Sequence, residues 1–346
     1  MAQQLLNTLF VQTPDAYVRL DGETFRVEVE TQCVLQVPIH HIGAVVLFGH
    51  CSISPGAMQR CARDGREVTF LDFNGRFRCR VDGPTHGNVM LRLAQYGAYC
   101  NETQKAEIAR RIVAAKLRNS RQLLLRSGRD AKVPEVRQQI ADAAAAHAAG
   151  LSQLPRAGTL DEIRGVEGNA ASAYFAVFGH LLTVETTEFA FTVRTRRPPR
   201  DRVNAVLSFL YAILAHDCSS AVEGVGLDPQ LGFLHAIRPG RPALALDLME
   251  EFRACIADRL ALTLINRRQL RPTHFDTRTD AGESVLLNEE GRKLVLVAYQ
   301  KRKEEPVKHR LLNTETPLGL APHLQARLLA RYLRGDIEQY HPFLSP

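Results

Sequence analysis

The hydrophobic pattern of this chain changes its period near residue 88, and this change constrains the fold more than any other feature. Before it, "AYVRLDGETFRVEVE" alternates apolar and polar residues on both sides of Asp21-Gly22, which predicts a β-hairpin. "VTFLDFNGRFRCRV" repeats the alternation around Asn74-Gly75, and "VPIHHIGAVVLFG" between them indicates a buried strand. "SPGAMQRCARDG" adds a short helix with Ser54 as its cap. The first part of the chain therefore predicts a small sheet with one helix.

After this point the segments have a helical period. Glycine and proline cluster in "VDGPTHGN", which predicts a linker at about 81–88. Gly128 is expected to end the first long helix. "NEEGRKLVLVAYQKRK" fits either a helix or a strand. Further helices are expected at about 202–223, 243–264 and 320–337. Capping signals mark two helix starts, Asn101 with Gln104 and Thr159 with Glu162.

The two patterns together predict an α+β protein of two domains. Residues 1–84 would form a small β-rich N-terminal domain, and residues 85–346 a larger all-α C-terminal domain that carries the site. A chain of 346 residues is long enough to bury a hydrophobic core in each.

Composition and charge narrow the class of protein. With 45% hydrophobic and 23% charged residues, the chain is of the soluble globular kind. No stretch approaches the ~20 uninterrupted apolar residues of a membrane helix, and the N-terminus does not resemble a signal peptide, so we expect a cytoplasmic protein. The seven cysteines include no C-x-x-C pair, which argues against a zinc finger, a redox site or a disulfide framework. The net charge of +7 favours polyanionic partners, nucleic acid first.

Glu167 is the first candidate for a chemical role. It borders the apolar stripe of its helix, since Ile163 and Ala170 lie one turn away. Gly165 and Gly168 flank it, and each costs up to ~1 kcal/mol relative to alanine inside a helix. That cost suggests close packing or the close approach of a ligand. The alternative is a carboxylate at the rim of the helix, paired with a lysine or arginine.

A second candidate group lies in "GFLHAIRPGRPALALDLMEEFR". His235 occupies a loop, and Asp247, Glu250 and Glu251 follow on a leucine-rich helix. Asp247 can act with Glu250 or Glu251, because residues three and four apart share a helical face. At least one acid should be partly buried, and a buried carboxylate must be paired, protonated or metal-bound. The alternative is a solvated acidic helix start and a histidine that only packs.

One glutamate, one histidine and one or two further acids would make a hard-cation site. Such a site suits Mg²⁺ or Mn²⁺ better than zinc, which prefers nitrogen and sulfur ligands. With open positions it serves phosphodiester chemistry, because the metal polarises the phosphoryl oxygens and fixes in-line geometry.

Two basic runs point to DNA, because guanidinium and ammonium groups follow a phosphate backbone. Either run alone could also be an ordinary solvated surface. "FTVRTRRPPRDRVN" supplies Arg194, Arg196, Arg197, Arg200 and Arg202, and "QKRKEEPVKHR" supplies Lys301, Arg302, Lys303, Lys308 and Arg310.

Four stretches, in this order, resemble one family: "GVEGNAASAYF", "PRDRVNAVLSFLYAIL", "GLDPQLGFLH" and "ALDLMEEFR". Over essentially its full length the chain is similar to the CRISPR adaptation integrase, the CRISPR-associated protein that inserts new spacers into the repeat array. "AHDCSSAVEGVGLDP" and "NEEGRKLVLVAYQKRK" resemble its type I-C branch. The resemblance implies that the latter stretch is helical.

The resemblance places the family's metal ligands on Glu167, His235 and Glu250. The family's pattern of an acid, two residues and a second acid falls on Asp247 and Glu250, and the second acid is the usual ligand. Many relatives carry aspartate there, so the longer glutamate changes the reach to the metal. Asp247 becomes a supporting catalytic carboxylate, and Glu251 is the acid least expected to take part. The family's helix beside the site, which would orient the DNA or the ligands, is matched by Asn204, Ser208 and Tyr211.

The resemblance also implies transesterification by a metal-dependent integrase and endonuclease. The 3′-hydroxyl of a spacer precursor attacks a phosphodiester at the repeat boundary, and water in its place gives DNase activity. The implied partners are double-stranded and branched DNA, a second copy bound through the β-rich domain, and a small ferredoxin-like companion that completes a heterohexamer. Type I-C systems add a RecB-like iron–sulfur trimming nuclease. No membrane partner is implied.

Two other functions are compatible with parts of the pattern. A non-catalytic DNA-binding scaffold of an adaptation complex would keep the basic runs without using the acids, and the presence of Glu167, His235 and Glu250 argues against it. A metal-dependent hydrolase of a small phosphorylated substrate would predict a phosphate-cradling glycine loop. No Walker-type or G-x-G-x-x-G run occurs.

Overall fold

A computed structural model describes residues 7–72, 77–81, 83, 89–184, 187–278 and 284–345. The chain forms two compact units, Met1–Gly87 and Asn88–Pro346. Strands dominate the first unit and helices the second, which confirms the predicted α+β class. The predicted linker at 81–88 falls almost entirely outside the described residues, as does the Asn74-Gly75 turn. The dimerisation and catalytic roles of the two domains stay predictions.

The first unit holds two four-stranded sheets instead of the single small sheet predicted. Its strands are β1 (Asn7–Val11), β2 (Tyr17–Asp21), β3 (Thr24–Val29), β4 (Gln32–Pro38), β5 (Ile42–Phe48), β6 (Ser52–Ile53), β7 (Glu67–Leu71) and β8 (Phe77–Val81). One sheet has the order β1-β5-β7-β8 and the other β4-β3-β2-β6. Strand β5 pairs parallel with both β1 and β7. It is buried along almost its whole length, as a strand in the middle of a parallel sheet should be.

Both predicted hairpins and the predicted short helix are present. Strands β2 and β3 pair antiparallel across a loop where Gly22 has a φ of +57°, a conformation that favours glycine. Strands β7 and β8 also pair antiparallel. Helix α1 (Pro55–Arg63) starts after Ser54, whose hydroxyl accepts a hydrogen bond from the Ala57 N–H at 3.1 Å.

The second unit is built mainly from helices. Within the described residues these are α2 (Val89–Cys100), α3 (Glu102–Asp130), α4 (Pro134–Gln153), α5 (Leu160–Val177), α6 (Arg202–Gly224), α7 (Ala243–Glu250), α8 (Arg259–Asn266), α9 (Glu289–Glu304) and α10 (Ala321–Leu333). Helix α9 is the segment that was ambiguous on periodicity, and it is helical as the resemblance implied. Helices α3, α4, α5, α6 and α7 surround the candidate site.

Helix α3 continues past the glycine that was expected to end it. Its start is as predicted, because the Asn101 side chain accepts a hydrogen bond from the Gln104 N–H at 3.0 Å. A Cβ on Gly128 would come within 3.2 Å of Ile140 on α4. This glycine therefore permits close helix packing and does not act as a cap, and the helix runs on to Asp130.

Helix α6 is the central helix of the second unit. It is long and apolar enough to cross a membrane by length and composition, but 67% of its most apolar 18-residue stretch is buried inside the protein. Its hydrophobic length is thus accounted for by core packing, since both of its faces contact protein.

Two predictions for the second unit were wrong. It does not contain one continuous helix at 243–264, and it is not all-α. Helix α7 ends at Glu250, and a π-helical turn, Arg253–Asp258, precedes α8. Two antiparallel ribbons also occur in this unit: β9 (Phe275–Arg278) with β10 (Ser284–Leu287), and β11 (Pro306–His309) with β12 (Thr314–Pro317). Strands of four residues are too short to show a period of two above the helical background.

We expect Thr159→Ala to lower the free energy of unfolding by about 1 kcal/mol, because it removes half of the capping box of α5. The Thr159 hydroxyl accepts a hydrogen bond from the Glu162 N–H at 3.3 Å, and Glu162 Oε2 accepts one from the Thr159 N–H at 3.1 Å. Urea denaturation measures the change. Thr159→Ser keeps the hydroxyl and is the control; equal midpoints for the two variants would contradict the prediction.

Candidate metal centre

The loop that carries His235 is tied to helix α7 by a buried carboxylate. Asp247 has no exposed surface and accepts hydrogen bonds from the backbone N–H groups of Phe233 at 2.5 Å, Leu234 at 2.9 Å and His235 at 2.9 Å. A Cβ on Gly232 would come within 2.6 Å of the backbone of α7, so glycine allows the loop this close. The alternative of a solvated acidic helix start is therefore wrong.

The same carboxylate orients the His235 ring. Nδ1 donates to Asp247 Oδ1 at 2.7 Å, so Nε2 is the ring nitrogen on the side of Glu250. Nε2 lies 3.9 Å from Glu250 Oε1. An imidazole fixed through one nitrogen by a carboxylate is the usual arrangement of a metal-ligating histidine. Asp247 is thus in a supporting position, since both of its oxygens are engaged by the loop.

Glu250 is buried among cations. Its side chain is 3% exposed, with Oε2 at 2.8 Å from Lys116 Nζ and Oε1 at 2.8 Å from an Arg253 guanidinium nitrogen. Burial alone would raise the pKa of Glu250, but the charges of Arg253 and Lys116 outweigh it and hold that pKa well below its usual range. Glu250 is therefore an ionised carboxylate in a nearly dry environment.

Glu167 meets Glu250 through one ammonium group. Glu167 Oε1 forms an ion pair with Lys116 Nζ, the same nitrogen that binds Glu250. The alternative of a carboxylate paired with a lysine therefore describes this contact correctly. The close packing expected of Gly165 and Gly168 is not found, because a Cβ on either would meet nothing within 4 Å. Both glycines leave open space beside Glu167.

Lys116 was missed by the sequence reasoning, although a signal was available. It lies four residues after Ile112 and next to Leu117, on the face of α3 that packs into the core. A lysine on a buried helical face needs a carboxylate partner, because an unpaired buried charge is costly. Its side chain is 13% exposed.

The donor set fits a hard divalent cation. Two carboxylates meet at a single positive charge, and an imidazole nitrogen lies 3.9 Å from one of them. Carboxylates and an imidazole with open positions are the ligand chemistry of Mg²⁺ and Mn²⁺. In the part of the chain that the structure describes, no three His, Cys, Asp or Glu side chains stand close enough to hold an ion as arranged. Lys116 explains this, because its ammonium occupies the point where the two carboxylates meet.

Glu251 belongs to a different part of the structure. It has no exposed surface and accepts hydrogen bonds from the Tyr340 hydroxyl at 2.5 Å, the Phe343 N–H at 2.6 Å and the Gln325 side chain at 3.1 Å. Burial raises the pKa of Glu251 to about 7, although these hydrogen bonds oppose the shift. Glu251 binds the C-terminal segment and does not contact the Lys116 ammonium that Glu167 and Glu250 share.

Arg194 lies against α6, where it contacts the three residues predicted to support the site. It donates to Asn204 Oδ1 at 2.7 Å and to Ser208 Oγ at 3.1 Å, and its guanidinium lies 5.3 Å from the Tyr211 ring centroid. Burial lowers the pKa of Arg194 to about 10. The predicted role of Asn204, Ser208 and Tyr211 toward DNA stays a prediction; in the structure they position an arginine.

Arg253 joins Glu250 to a further buried acid. Its guanidinium lies 4.3 Å from the Tyr211 ring centroid, and the Tyr211 hydroxyl donates to Asp258 at 2.5 Å. Tyr174 donates to the other Asp258 oxygen at 2.9 Å. In a π-helix the repeating hydrogen bond joins residues five apart, so Arg253 and Asp258 lie on one face of their turn. Tyr211 contacts both of these residues, with its ring beside Arg253 and its hydroxyl on Asp258.

The basic residues predicted to contact DNA divide into two groups. Some are bound within the protein: Arg202 donates to the Glu188 carbonyl at 2.5 Å, Arg302 to the Cys255 carbonyl at 2.8 Å, and Lys303 lies 3.0 Å from Asp217. The exposed group, which stays predicted to contact DNA, comprises Arg196, Arg197, Arg200, Lys301, Lys308 and Arg310.

Comparison with known sequences identifies one family. The family model described as CRISPR associated protein Cas1 matches residues 9–301. A CRISPR-associated endonuclease Cas1 of Moorella thermoacetica is 53% identical over 340 residues, covering 98% of each chain. One of Rhodospirillum rubrum is 49% identical and covers 99% of each chain. A Cas4 exonuclease/Cas1 endonuclease fusion of Geobacter sulfurreducens is 37% identical over 97% of this chain and 60% of its own.

Solved structures show the same fold. A CAS1 protein from Thermotoga maritima superposes with a TM-score of 0.81, at 23% identity, over 98% of this chain and 100% of its own. A casposase bound to integration product superposes with a TM-score of 0.80 at 24% identity, over 96% of this chain and 93% of its own. A chain of a Cas6-RT-Cas1–Cas2 complex superposes with a TM-score of 0.82 at 23% identity, over 98% of this chain and 36% of its own. At these identities the likeness concerns the fold alone.

We expect Asp247→Asn to lower the free energy of unfolding by roughly 2 kcal/mol or more, because hydrogen bonds to a charged group are worth ~1.5–3 kcal/mol. Asparagine offers one acceptor oxygen, and at least one of the loop N–H groups would lose its partner. Amide hydrogen exchange at Phe233, Leu234 and His235 should accelerate. Asp142→Asn, at an exposed acid on α4, is the control, and equal unfolding curves for both variants would contradict the assignment.

We expect Glu251 to make stability fall as the pH rises from about 4.5 to about 7. Over this interval the folded protein keeps the carboxyl proton, whereas the unfolded chain, with the ordinary pKa of 4.5, has released it. The contribution is full below pH 4.5 and is lost as the pH passes through 7. At 1.36 kcal/mol per pKa unit the loss is about 3 kcal/mol.

Denaturation of wild type and Glu251→Gln across this pH range isolates the contribution of Glu251 to the free energy of unfolding, because glutamine does not ionise there. Tyr340 can reverse its hydroxyl to accept from the new amide. The wild-type stability should fall relative to the variant as the pH rises, and parallel curves would show that Glu251 does not titrate in this window.

Proposed function

This chain belongs to the Cas1 family, and on that premise we propose that it is a metal-dependent DNA integrase and endonuclease of CRISPR adaptation. The observation that carries the proposal is the meeting of Glu167 and Glu250 at one cation, beside a His235 ring held by Asp247. Related proteins named CRISPR-associated endonucleases, matched over nearly their whole length, support the reaction class.

Each residue of the site has a defined task in this proposal. Glu167, Glu250 and His235 Nε2 would hold Mg²⁺ or Mn²⁺, which when bound polarises a phosphoryl oxygen and stabilises the charge of the transition state. Asp247 fixes the histidine ring and keeps the proton on Nδ1. Arg253 keeps Glu250 ionised in a dry environment, so this ligand needs no deprotonation.

The nucleophile comes from the substrate in this mechanism. The 3′-hydroxyl of a spacer precursor attacks a repeat phosphodiester and loses its proton to solvent as the new P–O bond forms. The bond between phosphorus and the 3′-oxygen of the repeat strand breaks, and that oxygen takes up a proton from solvent. With water as the nucleophile the same displacement is hydrolysis, which gives DNase activity. The side chains around Glu250 are acids, an imidazole and cations, which suit charge stabilisation and positioning.

The proposed substrate is double-stranded and branched DNA. The net charge of +7 and the exposed Arg196, Arg197, Arg200 and Lys301 would attract and track its phosphates. Arg194 would act indirectly, through the helix that it positions. Specificity for a spacer precursor and a CRISPR repeat belongs to this proposal as well.

We also propose the partners that the family implies. A Cas6-RT-Cas1–Cas2 complex contains a chain of this fold, and a relative is fused to a Cas4 exonuclease. A homodimer formed through the β-rich unit, a heterohexamer with the small ferredoxin-like companion, and cooperation with an iron–sulfur trimming nuclease follow from this setting. The type I-C assignment is part of the same proposal.

The test is strand transfer of a spacer-length duplex into a supercoiled plasmid that carries a CRISPR repeat. Transfer should require Mg²⁺ or Mn²⁺ and stop in EDTA. Glu167→Gln, Glu250→Gln and His235→Ala should each lose more activity than the roughly 100-fold cost of an outer-shell change, while a gel-shift assay shows unchanged DNA binding. Asp142→Asn should keep full activity.

Two outcomes would overturn this proposal. Full activity in the glutamine variants would mean that these acids are not ligands. DNA binding without transfer or cleavage in any metal, even with the companion protein added, would identify a non-catalytic scaffold.

A further inference from the structure

Lys116 occupies the centre of the proposed site. Its ammonium binds Glu167 Oε1 and lies 2.8 Å from Glu250 Oε2, while Glu250 Oε1 is 2.8 Å from the Arg253 guanidinium. Both oxygens of Glu250 are therefore taken by cations of the protein itself. A further cation can use Glu250 only if one of these two contacts opens.

We propose that Lys116 is an internal counter-cation that the divalent ion displaces, and that its freed ammonium then contacts the phosphodiester of the DNA. This inference rests on the proposed function, because it names a positioning residue of the same site. The metal and Lys116 would compete for the same two carboxylates, so Lys116 would weaken metal binding in the absence of DNA.

The structure favours Lys116 over Arg253 as the group that moves. Arg253 donates to both oxygens of Glu250, at 2.8 and 3.1 Å, and stacks at 4.3 Å over the Tyr211 ring. Lys116 is a point charge on a flexible stem, whereas a guanidinium fork is held in a fixed plane. Loss of the lysine contacts therefore requires less rearrangement than loss of the arginine contacts.

The charge of the site also favours this exchange. In the structure, the negative charges of Glu167 and Glu250 face the positive charges of Lys116 and Arg253. A divalent ion bound to the same two carboxylates would repel the Lys116 ammonium. A phosphodiester brings one negative charge and gains more as the nucleophile attacks, so a freed ammonium would then have a substrate oxygen to bind.

The open side of the site is where this substrate oxygen would arrive. Glu167 is 25% exposed, and a Cβ built on Gly165 or Gly168 would meet no atom within 4 Å apart from its chain neighbours and the nearby backbone of α5. Lys116 reaches Glu167 from α3, so its ammonium already binds the more exposed of the two carboxylates.

The first experiment measures Mn²⁺ binding to the DNA-free protein by electron paramagnetic resonance. If Lys116 occupies the carboxylates in nine of ten molecules, Lys116→Met should tighten Mn²⁺ binding about tenfold. Lys105→Met is the matched control, because Lys105 lies on the same helix, has the same 13% side-chain exposure and pairs with a carboxylate, Glu102. Its Mn²⁺ affinity should equal that of wild type.

A second variant covers the case in which Lys116→Met does not fold. Lys116→Arg keeps the charge and can bind a carboxylate with two parallel hydrogen bonds, so it should compete more strongly and weaken Mn²⁺ binding. Unchanged affinity in Lys116→Arg, or unchanged or weaker affinity in Lys116→Met, would overturn the inference and leave Lys116 a structural ion-pair partner.

The contact with DNA has its own readout. The slope of log K against log salt, for a duplex with dideoxy 3′ ends at fixed Mn²⁺, should be smaller by about 0.9 in Lys116→Met, which corresponds to one phosphate contact. In EDTA the two slopes should agree. Equal slopes in Mn²⁺ would overturn the phosphate contact.

Failure of this inference is distinguishable from failure of the proposed function. If neither wild type nor Lys116→Met binds Mn²⁺, or if Glu167→Gln leaves the Mn²⁺ affinity of wild type unchanged, both are overturned. If wild type binds Mn²⁺ and Glu167→Gln abolishes that binding, but Lys116→Met leaves it unchanged, only the inference about Lys116 is overturned.

Discussion

The burial of three carboxylates within five residues of one short chain segment is the constraint on which the rest of the second unit depends. Asp247, Glu250 and Glu251 are 0%, 3% and 0% exposed, and each must find partners in the fold because an unpaired buried charge is too costly. Asp247 accepts hydrogen bonds from the loop before it. Glu250 forms ion pairs with Lys116 and Arg253, and Glu251 accepts hydrogen bonds from the C-terminal segment. The partners of these acids connect α3, the π-helical turn and the chain end to α7.

The C-terminal segment stabilises the site through the contacts of Phe343. Phe343 stacks on Phe252 at 5.0 Å between ring centroids, and its N–H donates to Glu251. Asn119, one turn after Lys116 on α3, donates to the carbonyls of both Glu251 and Phe343. The chain end therefore holds α3 against the end of α7, and so helps to fix the distance between Lys116 and Glu250.

Sequence reasoning found the elements and the ligand candidates but not the contacts between them. Periodicity and capping located the helices, and the acids among leucines on α7 pointed to a buried site. Nothing local showed that Arg194 turns inward to Asn204, because charged residues between prolines resemble a solvated loop. The π-helical turn was missed for the same reason, since Arg253 and Asp258 share a face only after the turn widens to meet Tyr174 and Tyr211. Tertiary packing determined these features, and one-dimensional patterns do not contain it.

The electrostatics of Glu250 determine what metal binding would depend on. A buried carboxylate without cations would hold its proton near neutral pH, as Glu251 does with a pKa of about 7. Glu250 does not hold its proton at neutral pH, because the charges of Arg253 and Lys116 more than offset the effect of burial and keep its pKa low. Metal binding to most protein sites displaces protons and becomes pH-dependent. In the proposed site Glu250 is already ionised, so the group that a metal would have to displace is the Lys116 ammonium. Metal occupancy would then respond to the position of Lys116 more than to a proton on Glu250.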